Sequence, residues 1–390
     1  MRVLVINSGS SSLKYQVRET STGEMLLSGV IEEIGSGDVP DHGAALDLVE
    51  AHLQAEFGGD PGLEAVGHRV VHGGERFSEP VLIDYEITRA IERLAPLAPL
   101  HNPAHALGIR AIMRKWPKLP QVAVFDTAFH RTLPEHAWRY AVPNELYTEH
   151  GVRRYGFHGT SAQYVSVHAA ALLGIPDDRF DGIIAHLGNG ASITAIKGGR
   201  SIDTSMGYTP LAGLVMGTRS GDVDPSVLTQ LMIRGEYTAE QLDSMLNKES
   251  GLKGIAGSSD MRAVIARAAE GDEEAELALT IAAYRVQKYI GGYHVAVGGA
   301  QAIVFTAGIG ENSWQFRERV CSGLGAIGVK LDRIANVEKS REPRVISTPD
   351  SAIAILVVPT DEEAAIATQT AELVEEAAAA AESLQDQAQT

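Results

Sequence analysis

An apolar strand, a turn of small residues and a second strand occur twice in this 390-residue chain. The first copy runs Val3-Leu4-Val5-Ile6 into Asn7-Ser8-Gly9-Ser10-Ser11-Ser12-Leu13-Lys14, and the second runs Gly182-Ile183-Ile184-Ala185 into His186-Leu187-Gly188-Asn189-Gly190-Ala191-Ser192-Ile193. Small residues let the backbone approach a ligand closely, and amide and hydroxyl donors in such a turn suit phosphate oxygens. One copy alone reads as an ordinary hairpin. The repetition, with Lys14 just past the first turn, points instead to two related lobes closing on a nucleotide. The spacing completes neither the Walker loop nor the dinucleotide fingerprint, so a P-loop or Rossmann assignment is unsupported.

Between and after these hairpins, Gly- and Pro-punctuated strands alternate with helical stretches, the signature of an α/β architecture. Helices are expected at 44–57 and 87–94, and strands at 63–71 and 121–125, the latter delivering Asp126 and Thr127 at its carboxyl end, where ligands gather in open α/β sheets. The segment Tyr155 to Ser161 precedes a helix containing Val165, His168 and Leu172, with Thr160 or Ser161 available as its cap. Asp224-Pro225 starts another helix. A long apolar-periodic helix at 281–297 leads into a strand at 303–306 and a third Gly-rich loop, Ala307 to Ser313. The last strand, 353–358, precedes a helix that Thr360 can cap and whose first-turn acids suit its positive end. The expected division is an N-terminal lobe over 1–150, completed by a helix over 360–376, and a C-terminal lobe over 151–359. An acidic, disordered tail is expected over 377–390.

Composition bounds the partners. The 33 basic residues against 50 acidic ones leave a net charge of −17, which disfavours nucleic acid and anionic membranes. Eight of the acids follow Val358 with no Lys or Arg among them, so an anionic substrate must be met by a local basic cluster. Cys321 is the single cysteine, and neither a signal peptide nor a membrane-spanning run is visible, which favours the cytoplasm.

Two arginines fit such a cluster. Arg69 lies in Gly67-His68-Arg69-Val70-Val71-His72-Gly73-Gly74, an apolar strand reaching a Gly corner, where a guanidinium can fork onto a carboxylate or phosphate or else serve a structural ion pair. Arg219 lies in Met216-Gly217-Thr218-Arg219-Ser220-Gly221-Asp222. Together they could clamp a transferring phosphoryl group. His158, ahead of a helix, could donate to a phosphoryl oxygen. Asp126 and Glu362 each follow an apolar strand and, with Asn7, make a hard-ligand set for a magnesium-phosphate site; alone, Asp126 could cap a helix and Glu362 could be a dipole partner. His101 and His105 are four apart but lack a third soft ligand in zinc spacing, so no zinc site is expected.

With these motifs assembled, the chain resembles the acetate kinase family over almost its whole length. The Asn-Ser-Gly-Ser-Ser-Ser-Leu-Lys and His-Arg-Val-Val-His-Gly-Gly segments match the two signatures of that family. Phe-Asp-Thr-Ala-Phe-His, Arg-Tyr-Gly-Phe-His-Gly-Thr-Ser, His-Leu-Gly-Asn-Gly, Gly-Thr-Arg-Ser-Gly-Asp and Ala-Gly-Ile-Gly-Glu-Asn follow in the family order. The resemblance implies a duplicated two-lobe actin-like ATPase (ribonuclease H-like) fold with an ATP cleft between the lobes, a homodimer, and the reaction of ATP with acetate to give ADP and acetyl phosphate. It implies Mg²⁺, with Mn²⁺ able to substitute, held by Asn7 and Glu362. Lys14 becomes an ATP contact, Arg69 the acetate contact, Asp126 the active-site aspartate, and His158 and Arg219 the transition-state stabilisers. The implied nucleotide contacts are His186, Leu187, Gly188, Asn189 and Gly190, then Asp260, Met261 and Arg262, then Gly308, Ile309, Gly310, Glu311 and Asn312. The implied pocket for the acetate methyl is Val71, Leu100, Phe157 and Pro210. A kinase for propionate or another short carboxylic acid is the near alternative, and an actin-like filament ATPase a more distant one.

Overall fold

The computed structural model of the chain describes residues 1–35, 38–99 and 101–388. Two compact units are present, Met1–Phe129 with Asp361–Thr390, and His130–Thr360. The sequence places this division at 150/151.

Each unit is built on a six-stranded sheet, and the two sheets share one topology. In the first, β1 (Arg2–Ser8), β2 (Leu13–Glu19), β3 (Glu24–Ile31), β4 (Ala65–Val70), β5 (Val81–Leu82) and β6 (Gln121–Phe125) lie in the order β3-β2-β1-β4-β6-β5. In the second, β7 (Gly182–Leu187), β8 (Ala191–Lys197), β9 (Arg200–Thr204), β10 (Ala302–Thr306), β11 (Arg344–Val345) and β12 (Ala354–Val357) lie in the order β9-β8-β7-β10-β12-β11. An antiparallel meander of three strands, two further parallel strands and a short antiparallel edge strand recur in the same chain order. The chain therefore has the duplicated actin-like ATPase fold that its motifs imply.

Strand sequences explain why both faces are covered. Along β1, Leu4 and Ile6 point to one face and Val3 and Val5 to the other, as the period of two requires. Leu4 and Ile6 pack with Leu46, Val49 and Leu53 of the helix His42–Phe57. Val3 and Val5 pack with Ile366, Ala367 and Ala371 of the C-terminal helix Glu362–Ala388. That helix lies so close to β4 that a methyl built on Gly67 would overlap Ile366 Cγ2 at 2.8 Å. The small residue is thus a requirement of helix-sheet packing. In the second unit, the helices Gly159–Leu173 and Glu273–Val297 pack on the sheet through β7.

Three local expectations are corrected. Asp361, not Thr360, caps the last helix, its Oδ1 accepting from the Ala364 amide at 2.9 Å. That helix runs to Ala388, past the point where the acidic composition reads as a disordered tail, although Ala378 to Leu384 are exposed. The segment at Ala307 is a short helix, Ala307–Asn312, rather than a loop.

Candidate active site

Parallel pairing of β1, β4 and β6 brings their carboxyl ends to one edge of the first sheet. The residues delivered there include Asn7, Arg69 and Asp126. Arg69 forks onto Asp126, with Nε donating to Oδ1 at 3.0 Å and Nη2 to Oδ2 at 2.7 Å, and Nη2 also lies 3.4 Å from Glu362 Oε2. Asp126 is only 2% exposed, and burial pushes its carboxyl above the ordinary range against the pull of Arg69. Burial also works against the Arg69 charge, but Asp126 and Glu362 outweigh it and raise the guanidinium above its usual value. Both Asp126 oxygens are committed, whereas Arg69 Nη1 has no protein partner among the described residues. The carboxylate thus aims the fork, and a guanidinium nitrogen left outside that pair is of a kind that suits an anion.

Asn7 ends the first hairpin opposite Lys14, whose side chain is exposed. No group of three or more His, Cys, Asp or Glu side chains among the described residues could hold a metal. An amide oxygen and a carboxylate, as Asn7 and Glu362 offer, are hard donors that would suit Mg²⁺. They do not suit zinc.

In the second unit, β7, β10 and β12 run parallel and present their carboxyl ends together. The β7–β8 turn is closed by the Gly188 amide donating to the Gly190 carbonyl at 3.0 Å. A methyl built on Gly190 would stand 3.5 Å from Arg219 Nη1 and 3.6 Å from His158 Nε2, so both donors face the space above this turn. Arg219 is half-buried, and Nη1 donates to the Pro210 carbonyl at 3.1 Å. Among the described residues no carboxylate pairs with it, and burial lowers its pKa. A partly desolvated cation of this kind is suited to an anion.

His158 caps the helix Gly159–Leu173 through its backbone alone, with φ at 58°. The cap expected from Thr160 or Ser161 is therefore absent. Ala307, at the end of β10, also has positive φ, 63°. Such outliers at two candidate phosphate segments are strain of the kind that clusters at functional sites. The His158 ring stacks on His186 with centroids 4.0 Å apart, and its Nδ1 lies 3.0 Å from Ser192 Oγ.

The other expected nucleotide residues belong to this unit. Leu187, Gly188, Met261 and Ile309 line one small pocket with Gly217 and Phe316. Asp260 caps the helix Met261–Ala269 through the Arg262 amide, and the exposed Arg262 guanidinium folds back onto it. Asn189 accepts the Gly217 amide through its carbonyl at 3.1 Å. Glu311 Oε1 accepts the Thr360 amide at 3.1 Å. Of the expected methyl pocket, Val71 is buried in the first unit, Phe157 is buried in the second, and Pro210 lies beside Arg219. Leu100 lies outside the described residues.

Several supporting residues have roles that the local sequence pattern does not show. Buried Arg317 donates to the carbonyls of Gly310 and Glu311 at 2.8 Å, pinning the end of the short helix with no carboxylate paired to it among the described residues, and burial pushes it down to about 10. His130 holds the Phe157 carbonyl at 2.9 Å from Nε2. Arg154 gathers the carbonyls of Thr204, Ser205 and Met206.

The model of the Acetokinase family matches residues 2–39 and 35–368. An acetate kinase from Pseudarthrobacter chlorophenolicus is 68% identical over 381 residues, covering 95% of this chain and 98% of its own. Among solved structures, an acetate kinase of Porphyromonas gingivalis superimposes with TM-score 0.91 at 44% identity, covering 96% of this chain and 99% of its own. A propionate kinase of Francisella tularensis does so with TM-score 0.90 at 42% identity, covering 95% and 99%.

Proposed function

Because the chain belongs to the acetokinase family, we propose that its two polar clusters serve one reaction, the reversible transfer of a phosphoryl group from ATP to acetate, giving acetyl phosphate and ADP. It is a phosphotransferase with a carboxyl group as acceptor. The single observation that carries the assignment of roles is the convergence of Arg219 and His158 above the Gly190 turn.

Acetate is ionised at neutral pH, its reference pKa being about 4, so the attacking oxygen needs no base. The difficulty is charge, since one anion must attack another. Arg69 Nη1 receives the acetate carboxylate, and Asp126, with both oxygens on Arg69, orients that fork instead of taking a proton. Arg219 Nη1 and His158 Nε2 donate to the phosphoryl oxygens as charge spreads over them during direct in-line transfer. The Gly188–Gly190 turn and the Gly308–Asn312 segment bind the nucleotide. Mg²⁺, held by Asn7 and Glu362, supplies charge neutralisation at the phosphate oxygens when bound.

The chain acts as a cytoplasmic homodimer in this reading. Support comes from the helix Pro225–Ile233, whose apolar sequence leaves no residue buried and Ile233 77% exposed. No described helix is long and apolar enough to cross a membrane.

Hydroxamate trapping of the acyl phosphate formed from ATP with acetate, propionate or butyrate tests both activity and acceptor. Acetate is expected to react best and propionate second, because one methylene is worth only about 1–3 kcal/mol in an apolar pocket. No hydroxamate from acetate would refute the assignment.

A further inference from the structure

We propose that Ser161 and Thr360 are positioning residues that fix the tautomer of His186, so that its Nε2 carries the proton and donates to the nucleotide phosphates; this rests on the phosphoryl-transfer reading above. Ser161 is fully buried, and its Oγ lies 2.8 Å from His186 Nδ1 and 2.8 Å from Thr360 Oγ1. The far nitrogen, His186 Nε2, lies 3.9 Å from a methyl built on Gly188, at the phosphate turn. An anion at that turn needs a donor, so Nε2 must hold the hydrogen and Nδ1 the lone pair. Ser161 then donates to Nδ1, and its own oxygen is free to accept from the Thr360 hydroxyl. The Ser161 hydroxyl thus gives one proton and receives one, and the Thr360 hydroxyl gives one.

The partner chemistry suits a neutral ring. His186 stacks on His158 at 4.0 Å, and two imidazolium rings at that distance would repel. A carboxylate behind either ring would favour the cation, whereas a hydroxyl leaves it neutral. Both rings have hydroxyls, Ser161 behind His186 and Ser192 behind His158. Thr360 is itself fixed, because its amide donates to Glu311 Oε1 at 3.1 Å, and the Glu311 carbonyl is held by buried Arg317. The nucleotide segment Gly308–Asn312 is thereby linked to the orientation of His186 through three consecutive contacts, Glu311–Thr360, Thr360–Ser161 and Ser161–His186.

The test pairs spectroscopy with kinetics on the full-length enzyme. In ¹⁵N-histidine spectra of the wild type, the His186 ring, assigned by its loss in His186→Asn, is expected in the Nε2–H form. Thr360→Val, which keeps the branched shape without the hydroxyl, is expected to mix the tautomers and lower kcat about tenfold, with the KM for acetate unchanged and Thr360→Ser restoring both. A wild-type His186 protonated on Nδ1 alone, or wild-type kcat in Thr360→Val, would overturn the proposal while leaving acetyl phosphate formation intact. Loss of acyl phosphate formation in the wild type would instead remove the functional reading beneath it.

Discussion

At the scale of the residue, the Gly190 turn separates function from stability. Gly190 has no positive φ, and the nearest atoms to an added methyl stand at ordinary contact distances of 3.5 and 3.6 Å. Gly190→Ala should therefore fold with an unchanged melting temperature. The methyl nonetheless occupies the space that Arg219 and His158 face, so phosphoryl transfer should fall by about 10² or more. Full activity in this variant would show that no phosphoryl oxygen sits there. Much of this site is legible in sequence, because Arg69, Asp126, His158 and Arg219 stand at strand ends or beside glycines, where backbone can approach a ligand. Ser161, Thr360 and Arg317 are not legible. The Ser161–Thr360 contact joins residues 199 apart, and a buried hydroxyl pair leaves no local pattern. Ser161 reads instead as a helix cap, the commoner use of a serine before an apolar stretch.

Secondary-structure elements show where periodicity suffices and where it fails. The two hairpins are visible because alternation is strong on both arms and the turns are rich in Gly and Ser. The two-residue edge strands Val81–Leu82 and Arg344–Val345 are not visible, since so short a run has no period. For the C-terminal helix, sequence shows its start but not its partner. The structure packs Ile366 on β1 and β6, with 1% of its surface exposed, whereas Ala378 to Leu384 are exposed. Ile366→Ala should therefore cost about 2–5 kcal/mol of unfolding free energy, while truncation after Ala377 should cost little. Urea titration of both proteins checks this. Equal losses in the two would contradict the assigned packing.

Across the whole molecule, buried histidines make the fold sensitive to acid. Burial pushes His68, His72 and His130 down to about 4 and His105 to about 3. Unfolded histidines titrate near about 6.5, so between that value and about 4 the unfolded chain binds more protons than the native one. The stabilisation from keeping these rings neutral is fully present above about pH 6.5 and is lost as pH falls through 4. The urea midpoint should drop steadily from pH 6.5 toward 4. A midpoint that stays flat over this range would contradict the burial of neutral rings. Duplication of the sheet is likewise a whole-molecule property, hinted at by the hairpin repeat and completed by the matching strand orders of the two units. The proposed phosphoryl transfer depends most on Arg219, a cation that no carboxylate among the described residues neutralises. Initial rates of acetyl phosphate formation by Arg219→Ala test it most directly. We predict that kcat falls by about 10² or more while the KM for acetate changes little, because the lost interaction belongs to the transition state. A kcat close to that of the wild type would contradict the role given to this residue and the mechanism built on it.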